Sequence, residues 1–275
     1  MIYIFTALYC EAHIFIKQFH LKKIMKSTHF QQFTNESFQI LLTITGTGEI
    51  DAACAVSSVC TEHSPAQQDF LLNIGICACA EKQNEIFFIH KLVEQTSGKT
   101  FYPDILYRHN FREATLITGM VPRKNCEKGS SILLHDMEAA AIYQAGAYFF
   151  APHQMVFIKI ISDAGEDSRL SGEFVKQIME THKEKLCAYI HQLLQINQAK
   201  HTGQTVLDKH FSQLCADLHC SKAMRDALYK YLHYAALAGI DYLAVIQKMY
   251  QENKLPCKDK REGKQRFEEF KQQLL

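Results

Sequence analysis

Three short islands place acids where they could do chemistry. Ala7-Leu8-Tyr9-Cys10-Glu11 follows an apolar run, His135-Asp136-Met137-Glu138 leads into Ala139-Ala140-Ala141, and Ile160-Ile161-Ser162-Asp163-Ala164 ends another apolar run. If each run is a strand of a largely parallel sheet, its acid sits near a carboxyl end, where ligands of α/β proteins collect. Taken singly, each acid has a structural explanation. Glu11 and Asp163 can cap following helices, and Asp136 or Glu138 can favour a helix amino end through the dipole. Taken together, carboxylates converging on one sheet edge repel one another unless they bind something. Paired carboxylates suit glycosidic-bond chemistry, one acting as base toward water and the other as acid toward the leaving group.

Other chemistries are poorly supplied. The 14 histidines are scattered and form no H-E-x-x-H pattern. Among the 10 cysteines, neither Cys77/Cys79 nor Cys215/Cys220 has the companion pair that a zinc site needs. Cys54, Cys60, Cys77, Cys79 and Cys187 lie in apolar or small-residue runs, as buried thiols of a reducing compartment do. No metal and no cofactor is expected. With 30 Lys+Arg against 29 Asp+Glu, the net charge of 30 − 29 = +1 demands no polyelectrolyte partner. Between Lys254 and Lys271, basic residues alternate with acids and read as a solvated face, without a nucleic-acid-binding signature.

The elements that must position these islands follow from hydrophobic period. Ile2–Thr6, Phe38–Thr45, Phe70–Gly75, Ile86–His90, Ser131–Leu134 and Met155–Ser162 are short runs rich in branched and aromatic residues, as strands of a sheet covered on both faces are. Helical stretches are expected at Glu11 to Lys26, Ile50 to Glu62, Met137 to Phe150 and Ser171 to Asn197. Alternating strands and helices indicate an α/β domain over residues 1–197. The polar stretch Gln198 to Gln204, with Gly203, reads as a linker. Residues 204–275 form an expected helical appendage, with helices near Val206–Leu218, Ser221–Leu237, Ile240–Glu252 and Gly263–Leu275. Glu11 interrupts the first apolar run and no basic region precedes it, so an export signal is not expected. The longest later apolar stretch is broken by Pro152, His153, Gln154 and Lys159, which excludes a spanning helix and leads to the expectation of a cytoplasmic protein.

With these residues in place, the islands resemble those of the nucleoside phosphorylase/nucleosidase superfamily, most of all the methylthioadenosine/S-adenosylhomocysteine nucleosidases. Asp136-Met137-Glu138 followed by three alanines resembles the acidic-Met-Glu-Ala ribose motif, and Ile161-Ser162-Asp163 the Ile-Ser-Asp motif. Ala7-Leu8-x-x-Glu11 is similar to the nucleosidase amino terminus, while Thr45-Gly46-Thr47-Gly48 and Asn73-Ile74-Gly75 match two glycine-bearing strand ends. The likeness covers residues 1–196. It implies a phosphorylase/hydrolase-like fold, a mixed central sheet flanked by helices, with the all-helical appendage lying outside it. It also implies roles: Glu138 to hold the ribose hydroxyls, Met137 as an apolar contact beneath the sugar, Asp163 to protonate the purine N7, and Glu11 to orient water at the anomeric carbon. Asp136, Ser162, Gly75 and Ile76 are expected to line the substrate.

Glu11 also bears on reaction class. Phosphorolysis needs cationic or amide donors for phosphate, and a carboxylate beside the nucleophile repels that anion. Hydrolysis is therefore favoured, with a phosphate-dependent phosphorylase, drawing on Arg108, Arg112 or Arg123, as the alternative. A binding or sensing protein that uses the tail for partner contacts is the non-enzymatic reading. The chain departs from the nucleosidases at Ile76-Cys77-Ala78-Cys79, where relatives have Ser-Ala-Gly-Gly, and at Glu49, often Lys in relatives. The aromatic segment Gly98 to Asp104 is read either as lining the base or 5′-substituent pocket or as a structural turn. The resemblance further implies a homo-oligomer, expected as a dimer, with a small-molecule nucleoside as substrate.

Overall fold

The computed structural model describes residues 1–25, 29–80, 83–121, 132–165 and 170–274, without the side chains of 200–209 and 274. The chain divides into two compact units, Met1–Asn197 and Gln198–Leu275.

In the first unit, the strand β1 (Ile2–Thr6) is buried at every position. Its alternate side chains enter two different cores. Ile2 and Ile4 pack with Ala12, Ile14 and Phe15 of helix α1 (Tyr9–Gln18), whereas Tyr3 and Phe5 pack with Ala52, Val56 and Val59 of α2 (Glu49–His63). A strand apolar on both faces is what a sheet covered by helices on both sides requires. β1 lies between β4 (Ile40–Ile44) and β5 (Phe70–Ala78), parallel to both. β3 (Gln31–Thr34) and β2 (Lys22–Lys23) extend that side antiparallel.

On the other side the sheet closes. β5 runs parallel to β10 (Met155–Asp163), which pairs antiparallel with β6 (Ile86–Glu94). β6 pairs with β8 (Arg112–Thr118), β8 with β9 (Leu133–Asp136), and β9 returns to β5 through Ala78↔His135. The ring β5-β10-β6-β8-β9 therefore has no free edge of its own, and the short β7 (Thr100–Phe101) joins β6 from outside. The helix α3 (Ala139–Gly146) packs with α2, and α4 (Gly172–Thr181) with α1.

Several expectations need correction. The first helix ends at Gln18 and is followed by β2, while Lys26 lies outside the described residues, as does Ser131. The stretch expected as one helix from Ser171 to Asn197 is broken at His182, whose ring Nε2 lies 2.9 Å from the Asn84 carbonyl oxygen. The next helix, α5 (Lys183–Asp217), runs through Gln198 to Gln204, so the expected linker is helical. Gln, Ala and Lys are good helix formers, and a single Gly203 costs only about 1 kcal/mol against Ala.

The second unit completes α5 with α6 (Lys222–Leu237), α7 (Tyr242–Gln251) and α8 (Lys260–Leu274). The hydroxyl of Ser221 accepts from Met224 N, and the carboxylate of Asp241 accepts from Ala244 N, capping α6 and α7. Phe211, Leu214, Leu218, Leu228, Leu232, Met249, Phe267 and Phe270 form its core. Among the described residues, no helix is long and apolar enough to cross a membrane.

Candidate active site

Glu11 begins the site. It lies in the first turn of α1, and its side chain is 2% exposed. One carboxylate oxygen, Oε2, accepts from the amides of Ala7 and Leu8, each at 2.9 Å, and Oε1 accepts from Ile76 N at 2.9 Å. The chain turning from β1 into α1 thus clamps the carboxylate at the carboxyl half of β5. Gly75 makes room for it: a Cβ there would stand 2.7 Å from Glu11 Oε1. Burial pushes the Glu11 carboxyl up, opposed by the charge of Lys159 and by the three amides.

Across the β5–β10 ladder, Gly75 faces Lys159. Lys159 is 1% exposed, and its ammonium meets Asp136 Oδ2 at 2.9 Å. Burial by itself would lower its pKa, but Asp136, Glu138 and Glu11 together outweigh that and hold it raised. In the sequence Lys159 showed only as an interruption of an apolar run. A lone lysine amid isoleucines within a strand buried on both faces was the available signal, because such a cation must find buried anions.

Asp136 ends β9, and both its oxygens are committed. Oδ1 accepts from the Thr118 hydroxyl at 2.6 Å, and Oδ2 accepts from Ala139 N at 2.9 Å while holding Lys159. It anchors the start of α3 and the buried cation. Glu138, two residues on, is buried, and its Oε1 accepts from Gly48 N at 2.9 Å. Gly48 has φ +104°, a backbone conformation that L side chains rarely adopt, which aims its amide at Glu138. Burial first, and the Asp136 charge second, push the Glu138 carboxyl up to about 7. Met137 is half-buried beside it at the β9–α3 turn.

Asp163 ends β10 after an irregularity in register between Ile161 and Asp163, and it pairs with Ala78. Its Oδ1 accepts from Gly165 N at 2.6 Å. The Ser162 hydroxyl lies 2.6 Å from Asp163 Oδ2 and 3.1 Å from the Cys77 carbonyl oxygen. One hydroxyl proton serves one acceptor at a time. From Ile76, where Glu11 is held, to Ala78 is two strand residues, roughly 7 Å along the sheet. Glu11, Glu138 and Lys159 therefore gather at one level and Asp163 lies further along the same edge.

Glu49, the first residue of α2, adds a further acid. Its Oε1 is buried without a hydrogen-bond partner, and burial, Glu94 and Asp136 all push its carboxyl up. Among the described residues, no arginine pairs with Glu11. Arg112 pairs with Glu85 at 2.6 Å and lies over the Phe87 ring, and Arg123 lies outside the described residues. The aromatic segment Gly98 to Asp104 runs from Glu94, whose backbone bonds Gly98 and Lys99, to Pro152, whose carbonyl oxygen accepts from Asp104 N, and Phe101 stacks on Tyr143. Cys77 and Cys79 are buried, and burial pushes the Cys77 thiol well up, so it packs as a neutral group. Among the described residues, no group of His, Cys, Asp and Glu is arranged to hold a metal.

No protein-family model matches the sequence, and no curated protein matches it. Solved structures do match. The 5′-methylthioadenosine/S-adenosylhomocysteine nucleosidase of Neisseria meningitidis, in complex with methylthio-immucillin-A, superposes with TM-score 0.55 at 15% identity, over 73% of this chain and 98% of that one. The apo 5′-methylthioadenosine nucleosidase of Arabidopsis thaliana gives 0.57 at 14% identity, over 70% and 95%. A futalosine hydrolase mutant of Helicobacter pylori gives 0.55 at 12% identity, over 70% and 98%. The mixed sheet, its flanking helices and these superpositions show that the chain has the fold seen in the 5′-methylthioadenosine/S-adenosylhomocysteine nucleosidases and in futalosine hydrolase.

Proposed function

We propose that the protein hydrolyses the N-glycosidic bond of a purine nucleoside or a 5′-thio-nucleoside. The observation that carries this reading is the charge balance of the buried cluster: Glu11, Asp136 and Glu138 surround Lys159, the one cation buried with them among the described residues. With all four ionised the sum is −3 + 1 = −2. Breaking an N-glycosidic bond builds positive charge on the sugar, and fixed carboxylates in a dry pocket stabilise it without reorganising. The same surplus of negative charge repels phosphate, which favours water as the nucleophile.

Each residue has a task in this mechanism. Glu138 accepts hydrogen bonds from the ribose hydroxyls, with Gly48 N fixing one of its oxygens. Met137 offers an apolar contact to the sugar. Glu11, oriented by three amides, takes a proton from water as the oxygen attacks the anomeric carbon. Asp163 gives a proton to the purine N7, so the base leaves neutral as the C–N bond breaks. Ser162 follows Asp163 through both protonation states: it donates to the ionised carboxylate, and it accepts from the protonated one while donating to the Cys77 carbonyl. Ile76 contributes its amide to Glu11, a role its side chain does not affect.

The test is release of free base from methylthioadenosine, adenosine and inosine, followed chromatographically with and without phosphate. Release without phosphate is expected. Strict phosphate dependence would reverse the assignment to phosphorolysis, and binding without release would make the protein a sensor. Asp163→Asn preserves shape but supplies no proton, so turnover should fall roughly 10²–10⁴-fold with much of the binding retained. Turnover near wild type in that variant, shown to be folded, would remove Asp163 from the mechanism.

A further inference from the structure

The second unit carries a helix with two faces. On α6, Leu228, Leu232 and Ala235 are buried in the unit's core. The opposite face presents Ala223, Ala227, Lys230, Tyr234 and Leu237, spaced 4-3-4-3, the spacing of a two-helix seam. Tyr234 is 52% exposed and Leu237 79%. A groove of about 690 Å³ runs along this face, lined by Ala223, Asp226, Ala227, Lys230, Tyr231 and Tyr234.

The face is complementary to itself. When two copies of α6 lie antiparallel about a two-fold axis between residues 228 and 229, Ala223 comes opposite Tyr234 and Ala227 opposite Lys230. A small residue then faces a large one at each layer, as packing of facing helices requires. The charges match as well: Asp226 of each copy lies beside Lys230 of the other. Within one chain this acid and base, four residues apart, do not close on each other among the described residues, whereas Arg266 and Glu269 of α8 do, at 2.9 Å. A lysine at a seam position lays its aliphatic stem over the apolar groove and carries its ammonium to the partner's carboxylate.

We propose that α6 is a self-association helix, pairing antiparallel with α6 of a second copy of this chain through an isologous contact centred on Asp226 and Lys230. A two-fold contact makes each interaction twice, so its charge pattern can be tested by exchange.

The experiment uses the full chain in sedimentation equilibrium. Asp226→Lys, and separately Lys230→Asp, place like charges across the axis, and each should raise the dissociation constant at least about tenfold, halving the mass found for wild type. An equimolar mixture of the two variants restores opposite charges at both contacts, so it should recover the wild-type mass. So should the double variant Asp226→Lys/Lys230→Asp. Both positions are exposed, and circular dichroism with thermal melting checks that each variant is folded. If association also occurs through residues 1–197, the halving is from the larger assembly to the smaller, and the argument is unchanged. A monomeric wild type, single variants with wild-type mass, or a mixture of folded variants that fails to reassociate would each overturn the proposal.

Discussion

A carboxylate buried beside two other acids must titrate late, and Glu138 is held up to about 7 from its ordinary 4.5. Between those values the folded protein keeps a proton that the unfolded chain has released. The stabilisation from that proton is complete below about 4.5 and is lost as pH rises through about 7, so the unfolding free energy should decline across this window. Denaturant titrations at pH 5 and pH 8 should show a smaller decline in Glu138→Gln than in wild type. Binding runs the other way: the ionised form accepts the ribose hydroxyls, so nucleoside affinity should strengthen as pH rises through the same range. Gly75 supplies a second residue-scale expectation. A methyl group 2.7 Å from Glu11 Oε1 must push that carboxylate aside. Because Glu11 is buried and held by three backbone amides, moving it weakens those bonds, so Gly75→Ala should lower the melting temperature and also lower turnover about 100-fold, the cost of misplacing a catalytic group by about 1 Å. Glu11, Glu138 and Asp163 could be singled out from sequence because each is an acid at the end of an apolar run. Asp136's commitment to Thr118 and Lys159 could not, because that depends on the β8–β9–β5 pairing that brings distant strands together.

At the scale of elements, β1, β4, β5 and β10 were legible because their runs are continuously apolar, the mark of a strand covered on both faces. β8 was not: Arg112-Glu113-Ala114-Thr115-Leu116-Ile117-Thr118 mixes exposed polar residues with buried Ala114 and Leu116. β3, with Gln31 and Gln32 in four residues, hid for the same reason. Helix boundaries followed their caps at Ser171, Ser221 and Asp241, but no local signal marked the break at His182, where the ring meets Asn84 from a distant part of the chain. In the second unit, Gly263 lies where α8 meets the end of α5. A Cβ there would be 1.9 Å from the Leu218 carbonyl oxygen, and backbone cannot step aside as a side-chain tip can. Gly263→Ala should therefore cost roughly 1–3 kcal/mol by overpacking. Chemical denaturation monitored by helical circular dichroism would detect it, and an unchanged midpoint would show that α8 can shift freely.

For the whole molecule, the two units have separate hydrophobic cores. Each core can therefore melt as its own cooperative block, and calorimetry of the full chain should resolve two transitions where a single fused core gives one. Gly263→Ala should lower the transition of the helical unit and leave that of the α/β unit in place. A single transition moved as a whole by that substitution would show that the blocks unfold together.

The closed ring of strands has a consequence in time. β5 ends at Ala78 and its ring partner β10 begins at Met155, so 154 − 78 = 76 residues must be made between them. At synthesis rates of about 5–20 residues per second, one edge of β5 waits roughly 4–15 s for its partner. That edge belongs to Phe-Leu-Leu-Asn-Ile-Gly-Ile-Cys-Ala, a segment with no charge and no proline to deter pairing with another chain. The nascent protein is thus most vulnerable to aggregation between the emergence of β5 and that of β10, and yield in a cell should depend on how well chaperones cover that interval.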